Sequence, residues 1–138
     1  TDLEPVARHG KKPQILQFNN EKEELSAIKK LIVTHQASAY KSLGIVCKTE
    51  SQAYEMAEKL QIPDIHFLSN QSSAFVQGIV ITSAHMAKGL EFDEVIIPQV
   101  DDRNYHSEID RSMLYVAVTR AMHRLTLTYS GTKHTPFI

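Results

Sequence analysis

Short apolar runs alternate with amphipathic stretches along this chain, and that alternation restricts the fold more than any other feature. Leu43 to Cys47 (L-G-I-V-C), Gly78 to Thr82 (G-I-V-I-T) and Glu94 to Val100 (E-V-I-I-P-Q-V) read as buried strands. Ile15 to Phe18 and Ile65 to Leu68 are shorter strands of the same kind, and Leu125 to Tyr129 (L-T-L-T-Y) closes the series. Between the runs, apolar residues recur at helical spacing. Leu25, Ile28, Leu31 and Ile32 mark a helix over roughly 20–36. Ala53, Met56, Ala57 and Leu60 mark a second, which Pro63 ends. Leu114, Ala117, Val118 and Ala121 mark a third, through about His123. Each helix starts at a residue suited to cap it: Asn20 before Glu23, Thr49 before Gln52, Ser107 before Asp110. Strands alternating with helices predict an α/β fold, a mostly parallel sheet with helices on both faces. Ligands of such sheets sit outside the carboxyl ends of the strands. Three polar segments follow strands and fit that rule: Lys48-Thr49, Ser83 to Phe92, and Asp101 onward.

A chain of 138 residues suffices for one domain. Residues 1–13 read as a linker from a preceding domain, with Pro5, Gly10, Lys11-Lys12 and Pro13, and the domain proper spans 14–138. The first residue is not Met, and the expectation is a piece of a longer protein. Ser69 to Ala74, Asp101 to Ser107 and the tail from Gly131 read as loops.

Several chemistries are set aside. Cys47 is the single cysteine, so no internal disulfide or cysteine zinc site can form, and a reducing cytoplasm is expected. It lies in an apolar run and reads as a core thiol. The seven histidines are scattered without ligand spacing, and no metal site is predicted. No apolar run reaches the ~20 residues of a membrane span. Net charge is −1, so any polyanion contact must be a local patch. Gly10-Lys11 lacks the upstream glycine of a phosphate-binding loop. The chain alone is therefore expected to be inactive as a nucleotide hydrolase.

Two strings are specific. Ser83-Ala84-His85-Met86-Ala87-Lys88-Gly89-Leu90-Glu91-Phe92 follows a strand, and it resembles motif V of the UvrD/Rep-type superfamily 1 helicases. Leu114-Tyr115-Val116-Ala117-Val118-Thr119-Arg120-Ala121 leads into the last strand, and it resembles their motif VI. Gly44 to Thr49 resembles motif IV more loosely, with Lys48 where the family has Arg. The resemblance covers about Pro13 to Gly131 and implies the second RecA-like domain of such a motor. The family's first domain, which carries the phosphate loop, is not in this sequence. The family's large insertion between motifs IV and V is also missing; only about Gln61 to Gln77 fills that place. In this the chain looks most like the HelD branch, which includes helicase IV-like proteins and factors that release RNA polymerase.

The resemblance implies roles for individual residues. Arg120 would be an arginine finger on the γ-phosphate of ATP, although an Arg ending a helix can also simply complement its dipole. Lys48 would be a second cation on the phosphates, or only a solvated lysine at a strand end. Glu91 would meet the nucleotide sugar, or stand as a surface carboxylate. Gly89 would let the backbone approach the nucleotide or adopt positive φ. Ser83 and His85 would touch a single strand's phosphates, and Lys88 would screen either polyanion. Arg111 matches a basic motif VI position, or else pairs with Glu108 or Asp110. Tyr115, Val116 and Val118 read as packing residues. Implied cofactors are ATP and Mg2+, bound mainly by the first domain. Implied partners are that domain, single-stranded DNA and, on the HelD reading, RNA polymerase. A third reading is a binding module without turnover, supported by Lys48 in place of Arg.

Overall fold

The structure is a computed structural model, and it describes residues 12–69 and 78–138. Most of the expected linker, and the loop from 70 onward, lie outside the described residues. The elements are β1 (Gln14–Phe18), α1 (Glu21–Gln36), β2 (Leu43–Cys47), α2 (Glu50–Leu60), β3 (Ile65–Leu68), β4 (Ile79–Ser83), α3 (Ala84–Ala87), β5 (Phe92–Ile97), α4 (Glu108–Val118) and β6 (Ala121–Ser130). The six strands form one sheet in the order β1-β6-β5-β2-β4-β3, and every neighbouring pair is parallel.

Strand alternation explains why the central strands are apolar throughout. Leu43, Ile45 and Cys47 of β2 point to one face, where Ile28 and Ile32 of α1 and Ala53, Met56 and Leu60 of α2 cover them. Val46 points to the other, with Val80, Val95, Leu125 and Leu127, under Ala84 and Ala87 of α3 and Leu114 and Ala117 of α4. Gly44 also faces that second layer. A Cβ there would lie 2.5 Å from the Phe92 ring, so glycine is required for β5 to start against β2. Cys47 is fully buried, and burial pushes its thiol pKa up to about 12, which leaves it an inert core residue.

The caps form as the spacing predicts. Asn20, Thr49 and Ser107 accept from Glu23, Gln52 and Asp110 N–H groups, and Ser107 with Asp110 completes a reciprocal box. One expectation is corrected. The third helix does not run to His123: α4 stops at Val118, and Ala121 already pairs with Phe92 in the sheet. Arg120 thus sits in the turn between α4 and β6 rather than in a helix. The one-turn α3 is too short to show a period in the sequence. Glu94, fully buried at the start of β5, accepts two hydrogen bonds from the Arg124 guanidinium and one contact from His35, pinning the end of α1 to the sheet. Among the described residues, no helix is long and apolar enough to cross a membrane.

Candidate nucleotide and nucleic-acid face

The register of the strands decides which candidate residues meet. Lys48 follows Cys47, which pairs with Ser83 at the carboxyl end of the sheet. Arg120 precedes Ala121, which pairs with Phe92 at the amino end. Leu43 pairs with Glu94, so Lys48 and Arg120 stand some seven residues apart along the strands, about 23 Å. The structure does not bring them to one phosphate chain.

Lys48 is engaged where it stands. Its Nζ donates to the Asn104 carbonyl at 2.7 Å and to Asp110 Oδ1 at 3.2 Å. Gln52 Nε2 donates to Asn104 Oδ1 at 2.8 Å, and Tyr105 is buried beneath. The helix after β2 covers one face and the helix after β5 the other, so this is the crevice where an open α/β sheet usually binds ligands. Here side chains fill it. Burial works to raise the Asp110 pKa, but the His106 and Ser107 N–H groups and the Lys48 ammonium outweigh it and hold it at about 2. Farther along the same edge, a cleft of about 370 Å³ is lined by Glu21, Glu24, Asp101 and one guanidinium, Arg103. Its carboxylates repel phosphate. At the carboxyl ends, the Lys48 ammonium is thus engaged by Asn104 and Asp110.

At the amino end, Arg120 is held by three neutral acceptors: Val116 O at 3.1 Å from Nε, Leu90 O at 3.3 Å from Nη1, and Thr119 Oγ1 at 3.1 Å from Nη2. Its own carbonyl accepts the Phe92 N–H at 3.0 Å. The segment Gly89-Leu90-Glu91 is thereby fixed beside the guanidinium. Gly89 has φ +81°, a conformation that side chains rarely adopt, and no atom lies within 4 Å of where its Cβ would be. Glu91 is exposed on the same stretch. Arg120, Gly89 and Glu91 are brought together.

Ser83 and His85 lie at the carboxyl end, where β4 becomes α3. Ser83 is only 4% exposed, and its hydroxyl caps α3 by accepting the Met86 N–H at 3.2 Å. That hydroxyl caps the turn that carries His85. His85 and Lys88 are exposed, and among the described residues neither side chain has an ion-pair partner. Arg111 is half-buried on α4, and Asp110 is committed to Lys48. Tyr115, expected in the core, is 56% exposed; its neighbour Val118 does pack inside.

Sequence reasoning missed one feature. Beside His85 and Lys88, a groove of about 220 Å³ runs between α3 and α4, floored by Ile109, Met113 and Val116. Ile109 is 70% exposed, and its spacing to Met113 and Val116 on one helix stripe was the available signal.

The fold is that of the RecA-like C-terminal domains of helicases. It superposes on the crystal structure of the C-terminal domain of a possible DNA helicase from Lactobacillus plantarum WCFS1 with TM-score 0.81 at 22% identity, covering 97% of this chain and 83% of that one. It is also similar to an arterivirus nonstructural protein 10 helicase, solved with DNA, with TM-score 0.56 at 14% identity over 91% of this chain and 32% of that one. Residues 78–128 match the family model of UvrD-like helicase C-terminal domains. DNA helicase II of Escherichia coli K12 is 30% identical over 107 residues, 64% of this chain and 15% of that protein. The chain thus spans a small part of this curated relative's length.

Proposed function

We propose that this chain is the second motor domain of an ATP-dependent DNA helicase or translocase, completing an ATP site shared with a first RecA-like domain. The observation that carries this reading is the Arg120 setting: among the described residues its guanidinium is held by neutral oxygens, beside Gly89 and Glu91, on a chain whose sequence has no phosphate-binding loop. A fixed planar cation suits charge developing on a transferring phosphoryl group. Gly89 leaves open room for a nucleotide to approach the main chain, and the Glu91 carboxylate suits ribose hydroxyls. These three residues fit the nucleotide; Lys48 is not needed for it. Bound ATP with Mg2+ would supply the phosphoryl-transfer energy, and the other domain would hold most of it. His85 and Lys88, at the other end of the same segment, would contact single-stranded phosphates without reading sequence.

The test compares ATP turnover in a protein joining this chain to its first domain with that of the 138-residue chain alone, with and without single-stranded DNA. Turnover stimulated by DNA in the longer form and none in the chain alone is expected. Turnover by the chain alone overturns the shared site.

An RNA polymerase release factor of the HelD type would use the same residues. The short connection from Leu60 to Ile79, with no room for a large inserted domain, favours it. Failure of the longer protein to bind RNA polymerase counts against it.

A further inference from the structure

We propose that Glu94 and Arg124 are positioning residues for Arg120: their ion pair holds an irregular start of β5 against β6 and so fixes where the Arg120 guanidinium stands. This rests on the shared ATP site and adds to it two residues that act through Arg120.

The strands β5 and β6 begin out of step. Phe92 pairs with Ala121 and Glu94 with Arg124, so two steps along β5 match three along β6. Side chains two apart in an even strand share a face. Phe92 and Glu94 do not. The Phe92 ring lies in the core with Val46 and Leu114, while Glu94 meets His35 of α1 on the other face. The main chain carries the same break. Phe92 N–H donates toward β6, to Arg120 O at 3.0 Å. The next two N–H groups both turn toward the lead-in of β2: Asp93 donates to Ser42 Oγ at 2.8 Å and Glu94 to Ser42 O at 3.1 Å. Irregularities of this kind re-aim side chains beside a site. Here the last bond before the break is the one that the Arg120 carbonyl accepts.

An even start would keep Glu94 opposite Arg124 and set Phe92 opposite Met122, with its ring on the same face as Glu94. That face is already filled. Arg124 Nε and Nη2 each donate to the Glu94 carboxylate at 2.9 Å, a two-pronged grip. His35 Nδ1 lies 2.9 Å from the same carboxylate, and the Tyr40 ring centroid lies 4.8 Å from the guanidinium carbon. Glu94 is 1% exposed and His35 4%, so the ring finds no room there. It goes instead to the face where Gly44 makes space. Loosening the charged cluster lets the start fall into step. Ala121 and Arg120 would then move by about 3.3 Å along the strand, off the Leu90 carbonyl that holds the guanidinium.

The test is steady-state ATP turnover of the protein that joins this chain to its first domain, at saturating single-stranded DNA. Arg124→Lys keeps the charge and loses the two-pronged grip. It should lower kcat at least about tenfold and leave KM for ATP within about twofold, the pattern of a misplaced group that acts in the transition state. In an Arg120→Ala background the same substitution should lower the residual turnover no further, because the group it positions is gone. Glu94→Gln keeps the side-chain shape and should give both results, so the test does not depend on one variant folding. Exchange of the Phe92 amide with deuterium, followed in the same protein, should quicken in either variant. An unchanged kcat overturns the positioning role. So does an equal fall in both backgrounds, which would assign the pair to stability alone, or a lowered kcat with unchanged Phe92 exchange. Wild-type protein without turnover overturns the shared site itself, an outcome distinct from all of these.

Discussion

At the carboxyl ends of β2 and β5, Lys48 is paired with a carboxylate and a carbonyl, in a crevice packed with side chains. At the amino ends of β5 and β6, Arg120 touches three neutral oxygens next to a glycine with open space around it. Both residues are cations, yet among the described residues Lys48 is paired with a carboxylate and Arg120 is not. A charge neutralised by its own fold stabilises that fold. A charge left over is available to a ligand. The contrast teaches that a basic residue in a matching motif is not thereby a binding residue; its partner decides.

The largest expected break in this comparison comes from Arg120. Arg120→Ala in the two-domain protein should lower DNA-stimulated ATP turnover by about a thousandfold or more. Melting temperature should move little, because the lost hydrogen bonds are to main chain and hydroxyl at a partly exposed edge. Unchanged turnover would put Arg120 on a level with Lys48.

Gly44→Ala acts on the frame that separates the two ends. The new methyl meets the Phe92 ring and, with strand β2 buried on both sides, has nowhere to go. About 2–3 kcal/mol of stability should be lost in urea unfolding. A neutral result would mean that the start of β5 can shift freely against β2.

Lys48→Met should cost about 1–2 kcal/mol of stability, from a charged hydrogen bond lost beside a mostly buried carboxylate. Turnover should be nearly unaffected in the folded protein. A turnover collapse with normal stability would restore Lys48 as a phosphate ligand and erase the contrast.

The smallest effect is one of pH. The Asp110 carboxyl lies at about 2 in the fold against an ordinary 3.8, so its contribution is fully present above 3.8 and is lost as pH falls through about 2. Unfolding followed between pH 5 and 2 should show this slope, and Asp110→Asn should flatten it. An equal slope in the variant would assign the acid sensitivity to other carboxylates.

The sheet was legible because its strands are buried on both faces, so L-G-I-V-C and G-I-V-I-T carry their meaning without context. The caps were legible because Asn20, Thr49 and Ser107 act within one turn. The end of α4 was not: A-V-T-R-A-M-H suits a helix, and only the pairing of Ala121 with Phe92, made in three dimensions, turns it into strand. The motifs marked Arg120, Gly89 and Glu91 as residues that belong together, and the fold brings them together. They did not reveal the engagement of Lys48, because Asp110 and Asn104 lie more than fifty residues away in sequence. Nor did they show that Ser83 is used as a cap, since that depends on a helix of four residues.

The connection from Ser83 to Phe92 leaves β4, passes over β2 and must return to the opposite end of the sheet before β5 can begin. Fully extended, nine residues reach about 30 Å, and the path asks for about 20 Å. One helical turn in α3 and the turn closed by Leu90 N–H on Ala87 O take up most of the surplus. Almost no slack remains. A small displacement imposed at His85 has little spare chain in which to dissipate before it reaches Leu90, whose carbonyl holds Arg120. The segment is taut like a short tether, and inserting even one residue into it should disconnect its two ends while leaving each of them folded.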